Sequence, residues 1–222
     1  IEPMRILSYS AKWLGGKHTT RGWPDYRGYK RGSLDDNSIT KDLWRLVDGA
    51  DVLIVQNGKS YDVRVMNSRF LAHGLKPPSP YKVIDPKVEA KKYLRLPSYS
   101  LNDLCEYFGI GHKIEHEGFP LWKKCMVGDK SAWSRMLRYN KMDVLLMEGL
   151  YLLLRPWMVQ HPNVGIFIGS NEVCSRCGSR HIQSRGDAVN KTTKYRRYQC
   201  LDCSGWGRSS HNVAEDRPLV SI

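Results

Sequence analysis

The sequence predicts a layered α/β domain followed by a small cysteine-built module, and three observations predict it. From Arg5 to about residue 155, short apolar runs alternate with amphipathic stretches of helical spacing, the pattern of strands and helices stacked in layers. From about residue 171 the aliphatic residues give way to Cys, Gly, Ser and Arg. Four of the six cysteines fall into two tight pairs, Cys174/Cys177 and Cys200/Cys203, while Cys105 and Cys125 stand alone in apolar surroundings. That distribution is a metal site plus two buried thiols rather than a disulfide framework.

The elements follow in order. Arg5–Trp13 (RILSYSAKW) alternates enough to be a strand. The polar segment GGKHTTRGWPDYRGYKRGSLDDN is a loop; its Tyr26, Tyr29, Lys30 and Arg31 either track a nucleic-acid strand or are simply solvated. Ser38 caps a helix through TKDLWRLVDGA, and Asp51–Gln56 (DVLIVQ) reads as a buried strand. Tyr61–Gly74 is the next amphipathic helix, ended by its glycine and then Pro77-Pro78. YKVID makes a short strand at 81–85, and helices run over about 87–94, 101–108 and 130–155 before the Pro156 break. The expected boundaries are 1–157 for the α/β domain, 158–172 for a linker and 173–222 for the cysteine module.

Composition narrows the function classes. A chain of 222 residues, 41% apolar and with seven tryptophans, can build a genuine core, which excludes wholesale disorder. No segment reaches the roughly 18 uninterrupted apolar residues of a membrane span. There is no signal-peptide pattern and no initiator Met, so the reading is a soluble intracellular protein whose chain begins inside its gene product. The formal charge of +13, with a pI near 9.5, suggests a polyanionic partner. Residues 171–222 carry nine Lys/Arg against five Asp/Glu, hence +4, and residues 1–170 carry 26 against 17, hence +9.

In the cysteine module the pairs read C-S-R-C and C-L-D-C, with 22 residues between them. Two such knuckles at this separation present four thiolates tetrahedrally to Zn²⁺, and a site filled by four Cys leaves no open position, so the metal is expected to be structural. Gly178 follows the first knuckle, where the backbone must turn tightly. The intervening segment can form a hairpin. Its Lys191, Lys194, Tyr195, Arg196, Arg197 and Tyr198 either grip phosphates and stack on bases or form a protein-docking face.

Two carboxylates draw attention in the larger domain. Asp62 follows the strand and turn of QNGKSYD, where strand ends face a ligand crevice in open sheets, although Asp also simply caps helices. Asp143 lies inside the apolar stripe of RYNKMDVLLMEGLYLLL, with Tyr139 one turn earlier on the same face, about 6 Å along the axis. An unpaired carboxylate there is costly, so it needs either a Lys or Arg partner or a shared divalent metal. Asp85 before Pro86 is read as a helix cap, and His112 and His116 as members of an ordinary polar loop.

N-x3-Y-D at Asn57 to Asp62 and Y-x3-D at Tyr139 to Asp143 together resemble the second and third motifs of ribonuclease-H-like 3′–5′ exonucleases, the tyrosine subtype of the DEDD superfamily. The segments RFLAHGLKPPSPYKVID, LPSYSLNDLCEYFGIG and LWKKCMVGDKSAW are also similar to phage and bacterial predicted exonucleases of that type, over roughly residues 4 to 157. The resemblance implies a mixed sheet flanked by helices and two Mg²⁺ or Mn²⁺ ions held by four carboxylates. It makes Asp62 and Asp143 ligands, Tyr139 the residue that orients the attacking water, and Asn57 a shaper of the strand-end turn.

The family's first motif, D-x-E on the first strand, is not found. Either Ile1-Glu2 is its remnant, with Glu2 a ligand, or IEPMRILSYSAKWLGG is the second-strand region and the first strand lies upstream of Ile1. The expected function is metal-dependent 3′–5′ exonucleolysis of DNA, ahead of RNA, in the cytoplasm of a bacterial or phage-infected cell. The rival is a degenerate nucleic-acid-binding module, or one that docks a protein through the ribbon or the incomplete sheet.

Overall fold

The computed structural model describes residues 4–214; Glu2, the candidate remnant ligand, lies outside them. The chain divides into two units, one up to Tyr151 and one from Leu152 onward.

In the first unit, β1 (Ser8–Lys12) pairs antiparallel with β2 (His18–Gly22), Ser8 opposite Gly22 and Lys12 opposite His18. From sequence alone the β2 segment is expected to be a loop. HTTRG has no apolar alternation to announce a strand; its order comes from the β1 ladder and from the Ser10 and Thr20 hydroxyls, 2.8 Å apart across it. The same segment is further pinned at Tyr26, whose hydroxyl shares the Asp42 carboxylate with Tyr9. Trp23 then turns inward, its indole donating to the Ile6 carbonyl at 2.7 Å. Gly22 has no room for a side chain, since a Cβ would stand 2.8 Å from the Trp133 ring.

Helix α1 (Asn37–Asp48) begins two residues earlier than a Ser38 cap would allow. Asp36 holds the N-cap position without capping, because its carboxylate is drawn elsewhere. It accepts from Arg69 Nε and Nη2 at 2.8 and 2.6 Å, from the Ile6 N–H at 3.0 Å, and lies 2.8 Å from His73 Nε2. Burial opposes its charge, but the bonds from Arg69, Ile6 and His73 outweigh that and hold its pKa below the ordinary carboxylate value.

Strand β3 (Val52–Ile54) pairs parallel with β4 (Lys82–Ile84) and is half-buried rather than buried. The mixed sheet is thus present as one antiparallel and one parallel pair. Among the described residues no ladder joins them. Helices α2 (Asp62–Ala72), α3 (Pro86–Tyr93), α4 (Leu101–Tyr107) and α6 (Lys130–Leu154) match the expected stretches, whereas α5 (Phe119–Met126) was not anticipated. Asp129 caps α6 by accepting from the Ala132 N–H at 2.9 Å, and Pro156 stops it. Ile39, Leu43 and Val47 of α1, Phe70 of α2, Leu121 and Cys125 of α5, and Trp133 and Met136 of α6 close one apolar core around Trp23. Each such side chain contributes about 1.5–3 kcal/mol on burial.

In the second unit a short helix, α7 (Val164–Phe167), precedes an antiparallel sheet of β5 (Ile182–Val189), β6 (Lys194–Cys200) and β7 (Trp206–Arg208). Ser184 faces Tyr198, but the next paired residue is Asp187, opposite Arg196, so β5 carries a bulge around Gly186, whose φ is 71°.

Candidate active site and cysteine centre

The turn after β3 is unusually tight. Asn57 adopts a left-handed φ of 58°, and a Cβ on Gly58 would overlap the Val55 side chain at 2.3 Å. The turn is held by Asp85, whose Oδ1 accepts from the Asn57 N–H at 2.9 Å and from the Lys87 N–H at 3.0 Å. Lys87 Nζ in turn reaches Asn57 Oδ1 at 3.1 Å. Asp85 therefore caps α3, as its sequence suggests, and also shapes the turn that delivers Asp62 at the start of α2. Asp62 is the first residue of α2, and its carboxyl accepts from its own backbone N–H. It is exposed as a residue, yet desolvation of its carboxyl, reinforced by the neighbouring Asp85 charge, raises its pKa.

On α6, Tyr139 and Asp143 meet as their spacing requires. The loop before α5 brings Lys113 to both: its ammonium lies 2.8 Å from Asp143 Oδ2 and 3.3 Å from the Tyr139 hydroxyl. His116 of the same loop packs on the Tyr139 ring, with centroids 4.4 Å apart. Burial raises the Tyr139 pKa, as does the Asp143 charge, while Lys113 works against them. Asp143 Oδ1, by contrast, is buried and has no hydrogen-bond partner among the described residues. An orphaned carboxylate oxygen of this kind fits a divalent cation, which takes oxygen ligands. Asn57, Asp62 and Asp85 thus form one group, and Lys113, His116, Tyr139 and Asp143 a second. Among the described residues no hydrogen bond or ion pair links the two. Lys113 escaped the sequence reading because it lies 30 residues from Asp143 in a loop; only a charge owed to Asp143 hinted at it.

In the second unit the four expected cysteines converge. The Sγ atoms of Cys174, Cys177, Cys200 and Cys203 lie within 4.8 Å of one another, with Cys174–Cys203 at 3.7 Å and Cys177–Cys200 at 3.6 Å. Metal–sulfur bonds of about 2.3 Å place tetrahedral sulfurs about 3.8 Å apart, so the cluster is compatible with a zinc ribbon. Gly178 makes its turn at φ 77° and donates to the Cys174 carbonyl at 2.9 Å. Burial opposes ionisation of Cys200, but the N–H groups of Cys203 and Asp202 bring it down to about 7. In the first unit burial pushes the Cys105 and Cys125 thiols up to about 11, as befits inert core residues.

A family model described as the RNase_H superfamily matches residues 11–155. The chain belongs to the RNase H superfamily. Both carboxylate groups fall inside the matched RNase H region and the cysteine cluster falls outside it. Membership in the RNase H superfamily supports a nuclease-type hydrolase acting on nucleic acid, at that level of description. No curated protein matches the chain. Among the described residues no helix is long and apolar enough to cross a membrane.

Proposed function

We propose that this RNase H-superfamily chain is a metal-dependent 3′–5′ exonuclease of the DEDD tyrosine subtype, acting on DNA in preference to RNA. The observation that carries the reading is the pairing of Tyr139 with Asp143 on one face of α6, with one Asp143 oxygen buried and unsatisfied. Asp62 and Asp143 would hold Mg²⁺ or Mn²⁺, with Asp85 a further carboxylate beside Asp62 and Glu2 the sequence's candidate for another. When bound, two such ions stabilise the attacking and leaving oxygens of phosphodiester hydrolysis. The Tyr139 hydroxyl, fixed by Lys113, orients a water. Lys113 holds Asp143 in place through their ion pair, and Asn57 holds the turn that aims Asp62. The four cysteines hold a structural Zn²⁺.

The test uses the complete gene product on 5′-labelled single-stranded DNA and RNA. Shortening from the 3′ end should require Mg²⁺ or Mn²⁺ and fall by about a thousandfold or more in Asp62→Asn and Asp143→Asn proteins that remain folded. Undiminished activity in both variants would sink the assignment. The second reading is a binding module without chemistry, docking a protein or nucleic acid. Two observations favour it: Lys113 already neutralises Asp143, and the two strand pairs of the first unit are not joined among the described residues. Tight binding of the same oligonucleotides without metal-dependent shortening distinguishes it.

A further inference from the structure

We propose that one face of the β5–β6–β7 sheet is a stacking platform for single-stranded nucleic acid, built by Tyr195, Arg197, Trp206 and Arg208. The proposal concerns binding alone and stands whether or not the carboxylate site cleaves.

Side chains alternate along a strand and directly paired residues share a face. On β6, Tyr195, Arg197 and Gln199 therefore share one face, and the register adds Trp206 opposite Gln199 and Arg208 opposite Arg197. Lys194, Arg196, Tyr198 and Cys200 occupy the other face. The basic cluster expected from the sequence as a single surface is thus two surfaces.

They are electrically unlike. Asp187 serves the second face, 3.1 Å from Lys194 Nζ and 3.7 Å from Arg196 Nη1, and Tyr198 is half-buried with its hydroxyl toward Ser175. On the first face two guanidinium-bearing residues stand directly opposite each other, and no carboxylate pairs with either among the described residues. Like charges so placed destabilise a sheet. Each is instead laid diagonally on an aromatic ring: Arg208 Cζ lies 3.8 Å from the Tyr195 centroid, and Arg197 Cζ lies 5.3 Å from that of Trp206. The result is a column running Tyr195, Arg208, Arg197, Trp206, two cations between two rings, with Trp206 46% exposed at one end.

A sheet that tolerates facing cations without a counter-ion is complementary to an anion, and one that flanks them with rings is complementary to an anion that also offers flat faces. A single-stranded polynucleotide supplies both at once, phosphates for the guanidiniums and bases for the rings. A duplex hides its base faces, so the platform selects single strands.

The test measures binding of the full, zinc-loaded chain to labelled oligo(dT) without added Mg²⁺ or Mn²⁺. Trp206→Ala and Arg208→Ala should each weaken binding by about 5- to 100-fold, and Trp206→Phe should keep most of the affinity. Lys194→Ala and Arg196→Ala should stay within about threefold of the parent, and a duplex of the same length should compete poorly. Zinc content reports whether each variant is folded; if the alanine variants lose metal, Trp206→Phe against Arg208→Gln carries the comparison. Parental affinity in folded Trp206 and Arg208 variants overturns the proposal and points to a protein on this face. Equal loss in the Lys194 and Arg196 variants, or equal competition by duplex, overturns it as well.

Discussion

The cysteine cluster and the carboxylate site differ in how their charges are balanced. Four sulfurs meet at tetrahedral spacing, and only a cation at their centre could satisfy four thiolates at that distance. Asp143 already has Lys113, and Asp85 already accepts from the backbone N–H groups of Asn57 and Lys87. On the proposed reading, one region needs its metal in order to fold, while the other is folded first and receives metal afterwards, against a lysine already in place. The first unit can stand without ions because it has a continuous apolar core; few apolar side chains of the ribbon are buried.

The widest gap between the two regions should follow metal removal. Cys200→Ser, or a strong chelator, should release about one zinc per chain and unfold β5–β7, at a cost on the order of 10 kcal/mol. Hydrogen exchange checks this: amides of 182–200 should lose protection while those of α1 and α6 keep it. Persistent protection in the ribbon would break the comparison.

A smaller effect should appear on the other side. Asp36→Asn leaves Arg69 buried without a charged partner and should destabilise the first unit by about 3–5 kcal/mol in urea unfolding, with zinc content unchanged. The pH dependence follows from the depressed pKa of Asp36. Its contribution is fully present above the unfolded carboxylate value of about 3.9 and is lost as pH falls through the lower folded value, so Asp36→Asn should flatten the acid limb of the stability profile. An acid limb as steep as the parent's would contradict the assignment.

The smallest effect sharpens the site itself. If Lys113 competes with metal for Asp143, Lys113→Met should tighten Mn²⁺ binding about three- to tenfold, read from free Mn²⁺ by electron paramagnetic resonance. Unchanged affinity would leave Lys113 as a support for Tyr139 alone.

The parts legible in sequence are those whose partners lie a few residues apart. Cys-x2-Cys pairs and the Tyr139–Asp143 turn carry their own geometry, and so did most helices, through apolar spacing and through caps such as Asp85. Long-range pairing was not legible. HTTRG is a strand only because β1 lies beside it, and Ser38 lost the cap position to Asp36 because Arg69 and His73, more than 30 residues away, claim that carboxylate. The FPLWKKCM helix is short and follows a glycine at φ 69°, which disguised it as loop. Lys113 and the division of the ribbon's basic residues both depend on register and loop placement that no local window contains.

The bulge near Gly186 decides more than the local bend of β5. Continuing the register of Ser184 and Tyr198 with every residue kept and no bulge would set Asp187 opposite Tyr195 instead of Arg196, since a one-residue slip exchanges the two faces of a strand. The carboxylate would then sit among Arg197 and Arg208, and Lys194 and Arg196 would be the unneutralised pair. The bulge therefore acts as a polarity selector for the whole sheet: the same residues paired without it would reverse which side of the ribbon attracts anions.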